Sequence, residues 1–301
     1  MALHATVVML ASLVFSGFVN VAQSQAPNTD VDLLNLVQNM EFLTAEYLLY
    51  GVTGLGLDAI APELAQGGPP PVGGRLAFLD PFLKDVYFQF ALQKVGHLRA
   101  IRSVAPGIPR PLLNISKNLF ADFVDATLGR RLVPRFDPYA NSLNYALGFY
   151  GVSYFAPTGY VGISPELQNS TFKRLTAGLM GVEFGQEAVT RSYLYERRNH
   201  LIASYNVTVT ELTNGLADLR NTLGGVGTIS EGLVVPPSEG AEGRVSGNVL
   251  AGNNDSLAYG ALPRALLRIL YGGGDEHVPG AFYPKGANGR IAQSYLNSPM
   301  S

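Results

Sequence analysis

From Asp32 to Tyr50 apolar residues recur at helical spacing (Leu34, Val37, Ala45, Leu48), and Gly51 and Gly54 end the run, which predicts a first long helix. The segment Gln66-Gly-Gly-Pro-Pro-Pro-Val-Gly-Gly74 reads as a stiff loop without helix. Asp80-Pro81 supplies an N-cap followed by proline in the first turn, and the stripe Leu83, Tyr87, Phe90, Lys94, His97, Ile101 carries a second helix to about Val104. A shorter helix is predicted over 115–128. Asp137-Pro138 repeats the cap-and-proline start for a third long helix to about Phe155. Ser164-Pro165-Glu166 opens a fourth, interrupted near Asn169 and running to about Arg198. Two shorter helices follow, 209–223 and 260–271, around a Gly/Pro/Ser-rich loop at 224–257. No alternating run is long enough for a sheet. The prediction is all-α: a four-helix bundle over 25–205, then C-terminal helices and a Gly-rich tail over 206–301. Phe282 and Tyr283 in that tail predict an ordered, irregular strap on the bundle, since a disordered tail is poorer in aromatics.

Ahead of the bundle, the first 24 residues contain no Lys, Arg, Asp or Glu, are apolar from Val7 to Val21, and end in Ala22-Gln23-Ser24. This is the pattern of a secretory signal peptide, 1–24. As a membrane anchor the run is short and interrupted by Ser12, Ser16, Gly17 and Asn20. Extracellular placement is expected, in the cell wall or apoplast if the source is a plant. The chain has no Cys, so disulfides, thiolate metal sites and thiol nucleophiles are excluded together. With 21 Lys+Arg against 23 Asp+Glu the net charge is −2, which does not draw nucleic acid or an anionic membrane. Cell-wall material and self-association remain open as partners. There are 15 Tyr and 15 Phe but no Trp, a thin platform for stacking sugars. The sequons at Asn114, Asn169, Asn206 and Asn254 predict surface asparagines, with glycans on one or more of them.

Polar residues on core stripes carry the chemistry. Lys94 and His97 interrupt the second helix, Glu41 the first, and Glu183 and Gln186 the fourth. The i, i+3 pairs 94/97 and 183/186 each project to one face, so three helices aim polar groups at one level of the core. Glu46 and Glu187 fall off these stripes and read as ion-pairing or capping groups, and His200 sits at a helix C-terminus that suits a cation. Asp275-Glu276-His277 reads as a hydrogen-bonded turn rather than a metal site.

That frame resembles the ferritin-like superfamily. The segments Asn39-Met-Glu-Phe-Leu-Thr-Ala-Glu-Tyr47, Val95-Gly-His-Leu-Arg-Ala-Ile101, Phe136-Asp-Pro-Tyr-Ala-Asn-Ser-Leu-Asn-Tyr145 and Gly185-Gln186 resemble the plant desiccation-related proteins, which have relatives among fungal stress proteins. The most specific match is Glu276-His-Val-Pro-Gly-Ala-Phe-Tyr-Pro-Lys-Gly-Ala-Asn-Gly-Arg-Ile291. The resemblance implies the bundle, a stress or desiccation association, and the place of a carboxylate-bridged di-metal centre, in which two helices each give a Glu and two give Glu-x-x-His. Here Lys94 stands where a Glu belongs, Gln186 where a His belongs, and the third helix offers only Asn141 and Asn144. Glu41, His97 and Glu183 remain, with Lys94, Asn144 and Gln186 as polar core neighbours. Two readings follow. In one there is no cofactor, and the protein is non-catalytic with a degenerate site in which Lys94 supplies the missing positive charge; a rotated helix would instead let Lys94 snorkel outward. In the other, Glu41, His97 and Glu183 hold a single Mn, Fe or Zn for binding or oxidoreductase chemistry.

Overall fold

The computed structural model describes residues 27–297, so the signal-peptide segment lies outside the described residues. Helix α1 (Asp30–Thr53) is the axis of the molecule. It starts at a capping box in which Thr29 Oγ1 accepts from the Asp32 N–H (3.2 Å) and Asp32 accepts from the Thr29 N–H (2.8 Å). It ends at Gly54, which adopts the left-handed conformation (φ 76°) that only glycine takes freely. Between Leu33 and Leu49 every residue is buried, so this helix is enclosed on all sides rather than striped.

Two single-turn helices that the sequence did not announce, α2 (Leu57–Ile60) and α3 (Pro62–Ala65), precede the proline loop. Helix α4 (Pro81–Val104) begins as predicted, with Asp80 accepting from the Leu83 N–H at 3.0 Å, and lies along α1. Helix α5 (Lys117–Leu128) follows.

The third long helix differs from its prediction. Asp137 caps nothing helical; its carboxylate accepts from the Tyr139 N–H (3.0 Å) in a turn and pairs with Arg75. The N-cap is Asn141, accepting from the Asn144 N–H at 2.9 Å, and the helix runs as α6 (Ser142–Ser153) and α7 (Phe155–Ile163) with a kink at Tyr154. Pro157 falls in the first turn of α7, where its missing N–H has no intrahelical partner to lose. Ser164–Glu166 is a 3-10 turn, and the fourth helix starts only after Asn169, which accepts from the Thr171 N–H (2.8 Å) to cap α8 (Ser170–Glu196). Helices α1, α4, α6–α7 and α8 form the bundle, matching the all-α prediction. Where α1 meets α6, Tyr47 and Tyr145 stack at 4.8 Å and each phenol donates to the other's carbonyl (3.1 and 3.0 Å). Gly51 lies flat against the Tyr145 ring, leaving no room for a Cβ.

A two-residue hairpin, β1 (Leu201–Ile202) with β2 (Val207–Thr208), leads into α9 (Val209–Gly224), which lies on α5. Helix α10 (Pro263–Tyr271) packs on α9 and α7. The tail then crosses the bundle. Phe282 stacks on Phe123 (5.1 Å) and meets Phe120 edge-on (5.7 Å), while the Tyr283 phenol donates to Asn39 O of α1 at 2.9 Å. Asn39 completes the junction by donating to Asn288 O (2.9 Å) and accepting from the Asn288 N–H (2.8 Å). The tail is not wholly irregular: it ends in α11 (Arg290–Leu296), which rests on α1 and is clasped by Arg290 to Asp32 at 2.7 Å. Among the described residues no helix is long and apolar enough to cross a membrane. Asn169, Asn206 and Asn254 are exposed, whereas Asn114 is half-buried with its Oδ1 accepting from the Ser116 N–H at 3.1 Å.

Candidate functional site

Lys94 and His97, one turn apart on α4, point into the bundle between α1 and α8, because this face also carries Phe90, Leu98 and Ile101 into the core. Lys94 is fully buried, which removes the snorkelling alternative. Its ammonium contacts both oxygens of Glu183 and lies 3.5 Å from Glu41 Oε2. His97 Nδ1 lies 2.9 Å from Glu183 Oε1 and 3.4 Å from Glu41 Oε2. Glu41 Oε1 accepts from the Tyr160 phenol at 2.8 Å. One ligand atom from each of Glu41, His97 and Glu183 can be chosen so that all lie within 4.8 Å of one another.

The third long helix therefore contributes a phenol. Tyr160 lies on α7, beyond the predicted helix end at Phe155, and it is fully buried. Asn141 is a cap, and Asn144 directs its amide to Asp137 O at 3.0 Å, so neither joins the cluster. Gln186 donates to Gln93 Oε1 at 2.8 Å, turned toward α4.

Electrostatics follow from this wiring. Burial alone would raise the Glu41 carboxyl, but the charges of Lys94 and His97, with the hydrogen bonds from His97 and Tyr160, hold it below the usual range. Burial would lower His97, yet the Glu41 and Glu183 carboxylates raise it to about 9. Tyr160, buried beside two carboxylates, is driven well above its ordinary value and stays a hydrogen-bond donor. Lys94 and His97 thus stand against the Glu41 and Glu183 carboxylates within one buried cluster.

The family's di-metal centre does not fit these residues. Two metals need about six protein donors, and three are present. Lys94 has no lone pair to offer as an ammonium, and it sits in hydrogen-bond contact with the same carboxylates a cation would need. A single ion would find three donors of suitable type, but only after Lys94 had left.

Two other acids form the ion pairs expected of them, Glu46 with Arg110 and Glu187 with Arg191, but both are buried. Glu46 does not lie off the core, because α1 is enclosed all round; it pairs with the fully buried Arg110 and accepts from the Leu57 N–H at 3.2 Å. Glu187, on α8, is nine-tenths buried. Asp275, Glu276 and His277 do sit together, but Glu276 is paired with Arg264 (2.6 Å) and Arg268 (2.5 Å), and His277 Nδ1 meets Tyr295 O at 2.6 Å. His200 is exposed at the end of α8.

The ferritin-like domain family matches residues 29–196, the span of the bundle. The chain is 49% identical over 267 residues to the ferritin-like catalase Nec2 of Nesocodon mauritianus, covering 89% of this chain and 86% of that one. It is 46% identical over 264 residues to the desiccation-related protein PCC13-62 of Craterostigma plantagineum, covering 88% and 84%. No solved structure matches it significantly. Fold, bundle span and relatives agree, and the chain belongs to the ferritin-like family, among the desiccation-related proteins of plants.

Proposed function

We propose that this is a secreted, glycosylated, stress-associated protein that works as a stable scaffold rather than a metalloenzyme, its bundle carrying a fixed ammonium in the position where the ferritin-like frame would hold metal. One observation carries the reading: Lys94, fully buried, bridges Glu183 and Glu41. Three groups satisfy the two carboxylates, so the core does not depend on a cation from solution. The 24-residue apolar leader and the exposed sequon asparagines support secretion and glycan attachment. The desiccation-related relative supports the stress association.

A second reading is peroxide dismutation, favoured by the relative named a ferritin-like catalase. In this chain it requires the Lys94 ammonium to give way to an ion held by Glu41, His97 and Glu183. Oxygen release from hydrogen peroxide by the purified glycoprotein decides between them. The scaffold reading expects no release beyond that of a heat-unfolded control. Turnover that disappears in both His97→Ala and Glu183→Gln, with each variant still folded, would establish the second reading instead.

A further inference from the structure

Between α8, the α6–α7 junction and the loops that follow α9 lies a cavity of about 220 Å³. Its inner wall is α6–α8 (Tyr154, Phe184, Glu187, Arg191), and its outer wall is the loop segments Ile229–Glu231 and Val249–Tyr259. Most of the surface is apolar, from residues such as Phe184, Ile229, Val249 and Leu250.

The polar groups around it are nearly all engaged. Arg191 donates to the carbonyls of Val249 (2.9 Å), Glu231 (3.2 Å), Gly232 (2.7 Å) and Asn248 (2.6 Å), which fastens the outer wall to α8. Tyr154 donates to Ile229 O at 3.2 Å. Tyr259 donates to Glu231 Oε1 (2.7 Å) and Gly252 O (3.1 Å), and Glu231 Oε2 accepts from Asn248 at 2.9 Å. Glu187 is the exception. It lines the cavity, is nine-tenths buried, and accepts no hydrogen bond among the described residues; its nearest cation is Arg191 Nη1 at 3.8 Å. Burial pushes its carboxyl upward against the pull of Arg191 and Arg220. The carboxylate has its cation but no protein hydrogen-bond donor, so its donors come from water or from a molecule held in the cavity.

We propose that this cavity binds a small, neutral, mainly apolar molecule that presents one hydroxyl group, a simple phenol or alcohol, with that hydroxyl donating to Glu187. The walls select the class. Apolar lining disfavours a polyol, whose remaining hydroxyls would be buried without partners. Charge disfavours an amine: Arg191 and Arg220 already balance Glu187 and Glu231, so an added ammonium would leave an unmatched positive charge. The volume accommodates a single substituted ring and little more. The proposal does not rest on the scaffold reading, although Glu187 lies one turn beyond Glu183 of the Lys94 cluster and feels its charge.

Calorimetric titration of the full-length glycoprotein with p-cresol, toluene, benzylamine and glucose tests this. The expected result is one p-cresol per chain, toluene weaker by about tenfold for want of the donated hydrogen bond, and no heat from glucose or benzylamine. Ala251→Trp, which fills the cavity from its loop wall, should abolish p-cresol binding without shifting the melting temperature. Glu187→Leu should remove the preference for p-cresol over toluene. The proposal is overturned by absence of p-cresol binding to the wild type, by unchanged binding in a folded Ala251→Trp, by equal affinity for toluene, or by tighter binding of benzylamine.

Discussion

Glu41 and Glu46 lie five residues apart on the same enclosed helix, and neither is exposed to solvent, yet their carboxyls shift in opposite directions. Glu41 is held below the usual range by Lys94, His97 and Tyr160. Glu46, with burial its largest influence, is pushed up despite Arg110 and the Leu57 N–H, and the nearby Asp58 carboxylate adds to the rise. What separates them is the number of donors and the sign of the neighbours, not depth. A buried acid with three donors stays a structural anion, while one sharing its only cation with a second acid has a neutral form within reach.

The comparison is broken most severely at Lys94. Lys94→Met keeps the bulk and removes the charge, leaving two carboxylates in contact with one histidine. Calorimetry should show a loss of about 3–5 kcal/mol, a fall in melting temperature of roughly 5–10 °C for a domain of this size. Adding Glu41→Gln should restore only part, because Glu183 still lacks its ammonium. A melting curve unchanged by Lys94→Met would mean that the ammonium does not hold the core. Arg110→Met should lose less, about 2–3 kcal/mol, since Glu46 can take a proton and Asp58 reaches water. Pairing it with Glu46→Gln should then recover most of the loss; failure to recover would show that Arg110 matters chiefly through its bonds to Pro69 O and Gly68 O.

Tyr160→Phe removes one donor from Glu41 and should lower stability by about 1.5 kcal/mol in urea unfolding, the range for a hydrogen bond to a charged group. The smallest effect is expected at the surface. Asp32, held at about 2 against an ordinary 3.8 chiefly by the hydrogen bond from Arg290, ties the tail to the start of α1. A depressed carboxyl contributes stability that is complete above its unfolded value and is lost as pH falls through the folded one. Asp32→Asn should therefore cost under about 1 kcal/mol at neutral pH, and the gap from wild type should close between about pH 4 and 2. A gap that stays constant with pH would show that the charge of Asp32 does not carry the effect.

The bundle and all of its polar centre but Tyr160 are legible in the sequence, most clearly where α4 and α8 have solvent faces, so that Lys94, His97 and Glu183 stand out against an apolar stripe. Helix α1 has no such contrast. Glu41 is legible as a polar residue on the α1 stripe, whereas Glu46, expected off the core as an ion-pairing group, does pair with Arg110 but is buried, because an enclosed helix has no polar side. Tyr160 escaped because Pro157 resembles a stop, and because a tyrosine in an apolar run looks like core rather than a donor. Arg110 lies in a loop whose route into the core depends on the turn at Gly68, which no periodicity records.

Metal stoichiometry of the native glycoprotein, purified without chelator and then titrated with Mn(II), Fe(II) and Zn(II), most directly asks whether Lys94 takes the cation's place. The expected result is far less than one ion per chain from any of the three, with uptake appearing only in Lys94→Glu, which restores the Glu-x-x-His pair with His97. One tightly held ion per wild-type chain, lost in His97→Ala, would contradict it.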